Sequence, residues 1–139
     1  MNAVPERRAI ADAQTPVFEK HPHAHRITSD AEAIEIATKL AAEFAEEAAE
    51  RDRLRRLPAA ELDRFSGSGL WAITVPKAYG GAGASIVTLA EIIKLISAAD
   101  PSLGQLPPNH CAALDVVRVV ASEVQKKLWF DRVLQGYRF

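Results

Sequence analysis

The stretch from Gly69 to His110 constrains the fold of this chain more than any other part of it. The apolar and partly β-branched residues Leu70–Val75 predict a short extended segment. A turn with three glycines follows, and Ser85 then precedes a helical pattern as an N-cap. Asp100-Pro101 breaks that pattern, because the residue before a proline disfavours helical backbone angles. This order predicts helices on both sides of a corner that ends at His110.

The regions on either side of this stretch also have helical patterns. Ser29 and Glu32 have the spacing of a capping box, and apolar residues then recur at three- and four-residue steps. This apolar stripe consists of Ala33, Ile36, Ala37, Leu40, Ala41, Phe44, Ala45 and Ala48. Pro58 suits the first turn of a second helix, and Ser122 with Gln125 opens a last one. We therefore expect an all-α unit of about five helices.

Composition excludes several classes of function. The 139-residue chain has the length of one domain and a net charge of -1, so no overall field attracts nucleic acid or an anionic membrane. Cys111 is the only cysteine, which rules out an intramolecular disulfide. No apolar run reaches the roughly 18 residues that a membrane-spanning helix needs. Met1–Ile10 lacks the apolar core of a secretory signal, and we expect a soluble, cytoplasmic protein.

Residues 1–27 contain three histidines around one proline, at His21, His23 and His25. Such a cluster can bind zinc or nickel weakly, but this segment offers no fixed carboxylate and no periodic structure. We interpret residues 1–27 as a flexible N-terminal segment without a metal site.

Gly80, Gly81 and Gly83 resemble a phosphate-binding loop. A dinucleotide fingerprint needs a strand, a turn with a defined glycine spacing and a helix within a βαβ unit. Here the spacing differs and no second parallel strand follows, so we expect a turn that only shapes the fold.

The basic run Arg51–Arg56 is interrupted by Asp52 and Leu54 and lies beside three glutamates. Mixed charge of this kind is typical of a solvated helix end, where ion pairs contribute little. The alternative is that Arg51 and Arg53 pair with carboxylates across a domain contact.

His110 is the candidate catalytic residue, because a neutral imidazole can accept or donate a proton near physiological pH. Asn109 adds an amide that both donates and accepts, and Gln105 lies about one turn earlier. These three residues predict a small polar cluster on an apolar wall. The alternative is a helix corner whose polar groups satisfy unpaired backbone groups.

The order of elements in Gly69–His110 resembles the amino-terminal helical domain of the acyl-CoA dehydrogenase fold. The Gln105–His110 corner and the segment Arg26–Ile34 are similar to one branch, the dibenzothiophene monooxygenase-like flavin monooxygenases of sulfur acquisition. The resemblance covers roughly residues 27–139. It implies that His110 is a pocket residue with a catalytic role, and that Gln105 and Asn109 line or support the substrate pocket. Cys111 stands where this branch often has an aromatic residue, which predicts a different pocket shape.

The resemblance also implies how the complete enzyme is built. In such enzymes a β-domain and a carboxy-terminal four-helix bundle supply most flavin contacts. We therefore assign residues 28–136 to the helical domain and residues 137–139 to the start of a truncated β-domain. The complete enzyme is expected to use flavin (FMN or FAD), a reductase that supplies reduced flavin and a small organosulfur substrate, and to form a homo-oligomer. We expect the fragment alone to retain no flavin and to be inactive.

Two alternatives stay open. An acyl-CoA dehydrogenase proper would oxidise an acyl thioester with a glutamate that lies in or near the bundle, and the Asn109-His110 corner favours the monooxygenase over it. A non-catalytic helical interaction module would use apolar faces that are exposed without a β-domain for self-association or partner binding.

Overall fold

The computed structural model describes residues 24–139, so the predictions on residues 1–23, including His21 and His23, lie outside the described residues. The described chain forms five helices of 9 to 25 residues and a four-residue helical turn, without any strand. The helices are α1 (Asp30–Leu54), α2 (Ala59–Gly67), α3 (Ile86–Ala99), α4 (Pro101–Gly104), α5 (Leu106–Val120) and α6 (Glu123–Leu134). The all-α prediction is confirmed. None of the helices described here has the length and hydropathy required to cross a bilayer.

Helix α1 begins where the capping pattern places it. The Ser29 side-chain oxygen accepts a hydrogen bond from the Glu32 N–H at 3.2 Å. The Glu32 carboxylate accepts from the N–H and hydroxyl of Thr28, both at 2.8 Å, and contacts His25 Nε2 at 2.6 Å. In a full capping box the Glu32 side chain would instead accept a hydrogen bond from the Ser29 N–H. The Thr28 N–H, followed by the His25 side chain, lowers the pKa of Glu32 below its ordinary value of 4.5.

The described part of the predicted flexible segment is held against the helical domain. Ile27 is buried, and the His25 N–H donates to Gly67 O at 2.9 Å. Gly69 permits this close approach, because a Cβ at that position would lie 2.1 Å from His25 O. Residues 24–27 therefore pack on the end of α2.

The apolar stripe of α1 packs mainly against α3. Ala33, Ala37 and Phe44 are completely buried, and the alanines let the two helices approach closely. The helix ends at Leu54 because Arg55 adopts a left-handed backbone conformation with φ 52°.

The prediction of an extended segment over Leu70–Val75 is wrong. Leu70–Ala72 forms a 3₁₀-helix, and the Val75 N–H donates to Ala72 O at 3.0 Å. The turns begin at Gly69, whose φ of 82° is in the left-handed region. All residues of the segment except Thr74 are buried. The continuous apolar run therefore reflects burial on every side of a turn rather than one face of a strand.

The glycine turn packs against Val75. A Cβ on Gly81 would lie 2.1 Å from Val75 O and 2.5 Å from Val75 Cβ. The Gly83 N–H also donates to Val75 O at 2.9 Å. The turn therefore folds back on Val75, and Gly81 is required by backbone packing.

Asp100 redirects the chain between α3 and α4. It ends α3 in an extended conformation, and its Oδ1 accepts from the N–H groups of Ser102 at 2.9 Å and Leu103 at 3.2 Å. Pro101 occupies the first position of α4, where its missing N–H is not needed. Gly104 lets α4 lie against α3, since a Cβ there would lie 2.1 Å from a serine oxygen on α3. The predicted break at Asp100-Pro101 is confirmed.

Helix α6 has the complete capping box that the sequence predicts. The Ser122 N–H donates to Gln125 Oε1 at 2.9 Å, and the Gln125 N–H donates to Ser122 Oγ at 3.4 Å. Gly136, with φ 88°, ends the helix, and the Tyr137 N–H donates to Arg132 O at 3.2 Å. Residues 138 and 139 then contact α2 and α5.

A buried arginine connects three parts of the domain. Arg51 on α1 is 4% exposed, and its Nη1 donates to Glu61 Oε1 on α2 at 2.9 Å. Its Nη2 donates to Asp100 Oδ2 at 2.7 Å and to Phe44 O at 2.7 Å. The interpretation of this run as a solvated helix end is therefore wrong for Arg51, which pairs with carboxylates of two other elements. Arg53 instead pairs with a glutamate of its own helix.

Replacing Arg51 by methionine should lower the free energy of unfolding by about 3–5 kcal/mol, because the buried Asp100 carboxylate and the partly buried Glu61 carboxylate lose their counter-charge. Arg53→Met is the matched control, since its exposed ion pair is worth at most about 1 kcal/mol. Urea unfolding followed by circular dichroism measures both variants. Equal losses in the two variants would show that the buried network has no special role.

Candidate functional site

His110 lies on the buried face of α5, between the turn that follows α2 and the C-terminal segment. Its side chain is among the largest that are fully buried, with 2% of its surface exposed. Nε2 lies 3.0 Å from Trp71 O, and the Phe139 N–H donates to Nδ1 at 3.2 Å. Both ring nitrogens therefore have a backbone partner within the domain.

These two partners determine the tautomer of His110. A carbonyl oxygen can only accept, so Nε2 must carry the proton, and an N–H can only donate, so Nδ1 must be unprotonated. Burial lowers the pKa of His110 from its ordinary 6.5 to about 4, although the hydrogen bond to Trp71 O opposes the change. The imidazole is therefore neutral at physiological pH.

Aromatic rings surround His110. Its ring centroid lies 4.8 Å from that of Trp71 and 5.4 Å from that of Phe139. Phe139 in turn lies 5.3 Å from Trp129, over which the Arg132 guanidinium sits at 5.2 Å. The His110 environment is thus mostly apolar, which explains the lowered pKa.

The other two predicted site residues point elsewhere. Gln105 and Asn109 are exposed, and Asn109 Nδ2 donates to the backbone oxygen of Gln105 at 3.4 Å. No hydrogen bond among the described residues links either side chain to His110. The corner therefore presents two surfaces: a buried one at His110 and an exposed one at Gln105 and Asn109.

An apolar groove of about 380 Å³ lies between α3 and α5, and Pro108 and Cys111 of the corner contribute to its wall. The remaining lining residues are Thr74, Ile86, Leu89, Ile93, Ala112, Leu114, Asp115, Arg118 and Phe130. A volume of this size is within the range of small-molecule pockets. Sequence reasoning did not single out Thr74, because the extended segment predicted over Leu70–Val75 gave no sign that this side chain lies beside Cys111.

Cys111 and Thr74 are less exposed than Asp115 and Arg118, the other polar side chains that line this groove. Burial raises the pKa of the Cys111 thiol to about 11, so it stays protonated and is a poor nucleophile. The Thr74 hydroxyl beside the thiol partly offsets the rise, and its oxygen is buried without a hydrogen bond of normal geometry. The walls of the groove are therefore suited to apolar contact, and the buried Thr74 oxygen is not exposed to a ligand there.

A larger groove of about 620 Å³ lies between the end of α1 and α4. Its buried polar residues, Arg51 and Asp100, are already paired with each other. We therefore take the α3–α5 groove as the candidate site. Within residues 24–139, no three histidine, cysteine or acidic side chains gather as a metal site requires.

Comparison with known proteins decides the family. The model of the acyl-CoA dehydrogenase N-terminal domain matches residues 8–137. The chain belongs to this family.

Three relatives of this acyl-CoA dehydrogenase N-terminal domain are monooxygenases. Dibenzothiophene monooxygenase of Rhodococcus erythropolis is 32% identical over 111 residues, which are 80% of this chain and 27% of that protein. The probable FMNH2-dependent monooxygenase SfnC of Pseudomonas putida is 33% identical over 107 residues, 77% of this chain and 27% of that protein. The FMN-bound crystal structure of TdsC from Paenibacillus sp. A11-2 matches with a TM-score of 0.69 and 37% identity, over 73% of this chain and 26% of that one.

The chain thus spans about a quarter of the length of the relatives that it matches. The family and the fold are established for the part of the chain that these matches cover. The catalytic role of His110 and the pocket roles of Gln105 and Asn109 stay predictions.

The buried His110 predicts a pH dependence of stability. The unfolded chain binds a proton at His110 below about pH 6.5, whereas the folded chain does so only near pH 4. This histidine therefore favours the folded state by about 3 kcal/mol above pH 6.5, and the contribution is lost as the pH falls to 4. The difference in unfolding free energy between the wild type and His110→Gln, which does not titrate, should shrink over that range. A difference in unfolding free energy that stays constant from pH 7 to pH 4 would contradict this prediction.

Proposed function

We propose that this domain forms the N-terminal, substrate-pocket part of a reduced-flavin-dependent monooxygenase that acts on small organosulfur compounds. The observation that carries the proposal is the similarity, at 37% identity and a TM-score of 0.69, to a dibenzothiophene monooxygenase that has been crystallised with FMN. The similarity of SfnC, a probable FMNH2-dependent enzyme, supports the same cofactor class.

The α3–α5 groove supports the proposed substrate class. Its walls are mostly aliphatic, with Leu89, Ile93 and Leu114 among them, and Asp115 and Arg118 pair with each other at 2.7 Å. A neutralised charge pair and aliphatic walls favour an uncharged apolar ligand, because burying an anion would leave it without a counter-charge. A thiophene or thioether has this chemistry.

The described residues offer no evident cradle for the flavin itself. The glycine turn is closed by Val75, and the groove lacks free cationic side chains for a phosphate. Flavin, when bound to a complete enzyme, supplies oxygen activation and transfer, while this domain orients the substrate and excludes water. We propose that residues 28–136 carry this pocket wall and that residues 137–139 lead into a β-domain that contributes most flavin contacts.

The catalytic role of His110 and the substrate-pocket roles of Gln105 and Asn109 that the resemblance implies remain predictions, since none of the three lines the α3–α5 groove. The FMNH2 dependence named for SfnC supports a reductase partner that supplies reduced flavin. We further propose a homo-oligomeric, cytoplasmic enzyme.

The second candidate is oxidation of an acyl thioester, which the family of the domain favours. A non-catalytic interaction module is the third, and it is favoured by four exposed valines near the α5–α6 corner. They are Val116, Val119, Val120 and Val124.

A chimera tests the first proposal. Residues 24–139 replace the matching domain of the Paenibacillus enzyme, and the product is assayed for reduced-FMN-dependent oxidation of dibenzothiophene. We expect turnover within about 10- to 100-fold of the parent, because a small misplacement of one pocket wall has this size of effect. A folded chimera that binds FMN and oxidises only acyl thioesters would favour the second candidate. A folded chimera without either activity would favour the third.

The 139-residue chain alone should show no saturable FMN binding at micromolar concentrations, because it provides one wall of the proposed pocket. Fluorescence titration measures this, with the intact Paenibacillus enzyme as the positive control. A stoichiometric micromolar site on the chain would overturn this division of the flavin contacts.

A further inference from the structure

Two hydrogen-bonded anchors hold the segment that follows α6. Arg138 Nη1 donates to Ser66 Oγ at 2.9 Å, and the Phe139 N–H donates to His110 Nδ1 at 3.2 Å. Both acceptors are buried, at 0% exposure for Ser66 and 2% for His110. The backbone path after Gly136 is therefore defined by contacts to α2 and α5.

Both anchors converge on Trp71. Its indole Nε1 donates to the same Ser66 Oγ at 3.1 Å, and its backbone oxygen accepts from His110 Nε2 at 3.0 Å. Trp71 is itself buried, and its ring packs on Phe65 at a centroid distance of 4.3 Å. The segment is thus linked to the buried Trp71 in two ways, from Arg138 through Ser66 and from Phe139 through His110.

We propose that His110 is a positioning residue whose two ring nitrogens link the backbone oxygen of Trp71 to the Phe139 N–H. This link, or relay, fixes the direction of the chain as it leaves the helical domain. The proposal deepens the proposed function and rests on it, because that direction sets how the rest of an enzyme would meet this pocket wall. The relay uses both imidazole nitrogens, so His110 performs this role without touching a substrate.

The chemistry of the relay explains why histidine suits this position. The site needs a donor towards Trp71 O and an acceptor towards Phe139 N–H, held on one rigid ring in an apolar environment. Asparagine places an oxygen as many bonds from the backbone as Nδ1, and glutamine places an amide nitrogen as many bonds away as Nε2. Asn can therefore keep the Phe139 bond only, and Gln the Trp71 bond only.

Nuclear magnetic resonance of the ¹⁵N-labelled 139-residue chain tests the relay directly. We expect the Nε2–H tautomer of His110 at neutral pH and a slowly exchanging Phe139 amide. In His110→Gln the Phe139 amide should exchange about tenfold faster, the equivalent of one hydrogen bond, whereas His110→Asn should stay within about threefold of wild type. Asn109→Ala, an exposed neighbour, is the control and should change neither signal.

An Nδ1–H tautomer in the wild type would overturn the inference, as would equal Phe139 exchange in wild type and His110→Gln. The wild-type tautomer decides the question even if a variant fails to fold. These readouts involve no flavin or substrate, so they can fail while the monooxygenase proposal stands. If His110 positions the chain, His110→Asn should retain more turnover than His110→Gln in the chimera. Loss of all turnover in both variants would instead favour proton transfer by the imidazole.

Discussion

The domain depends on the buried ion network around Arg51. One guanidinium from α1 binds the carboxylates of Glu61 and Asp100, and Asp100 uses its other oxygen to cap α4. Because ions this deeply buried lose their hydration, each member is stable only while its partners are in place. The network therefore fixes α1, α2 and the α3–α4 corner relative to one another, and the direction of α5 follows from that corner.

The direction of α5 in turn separates two environments around the His110 corner. On one side, His110 is enclosed by Trp71 and Phe139, and burial keeps it neutral. On another, Pro108 and Cys111 face an apolar groove whose volume is within the range of small-molecule pockets. The features that make His110 a good relay, two satisfied nitrogens and little exposure, also restrict its access to solvent protons.

Sequence reasoning succeeded where the signal is local. The caps at Ser29, Ser85 and Ser122 were predicted because each depends on residues within one helical turn. It failed over Leu70–Val75, since a continuous apolar run fits both a buried strand and a buried turn. The hydrogen bonds that the segment makes within itself, such as Val75 N–H to Ala72 O, identify it as a turn.

The sequence by itself determined the helical class, the order of the helices, the corner at Asp100 and the family resemblance, because short-range periodicity and motif spacing carry that information. Tertiary structure decided which charges are buried and which polar groups meet. The arginine run gives no sign that Arg51 alone turns inward, and the spacing of Gln105, Asn109 and His110 suggested one cluster where the fold makes two surfaces. Burial and hydrogen bonding between residues far apart in the chain depend on how the helices pack, which no local pattern encodes.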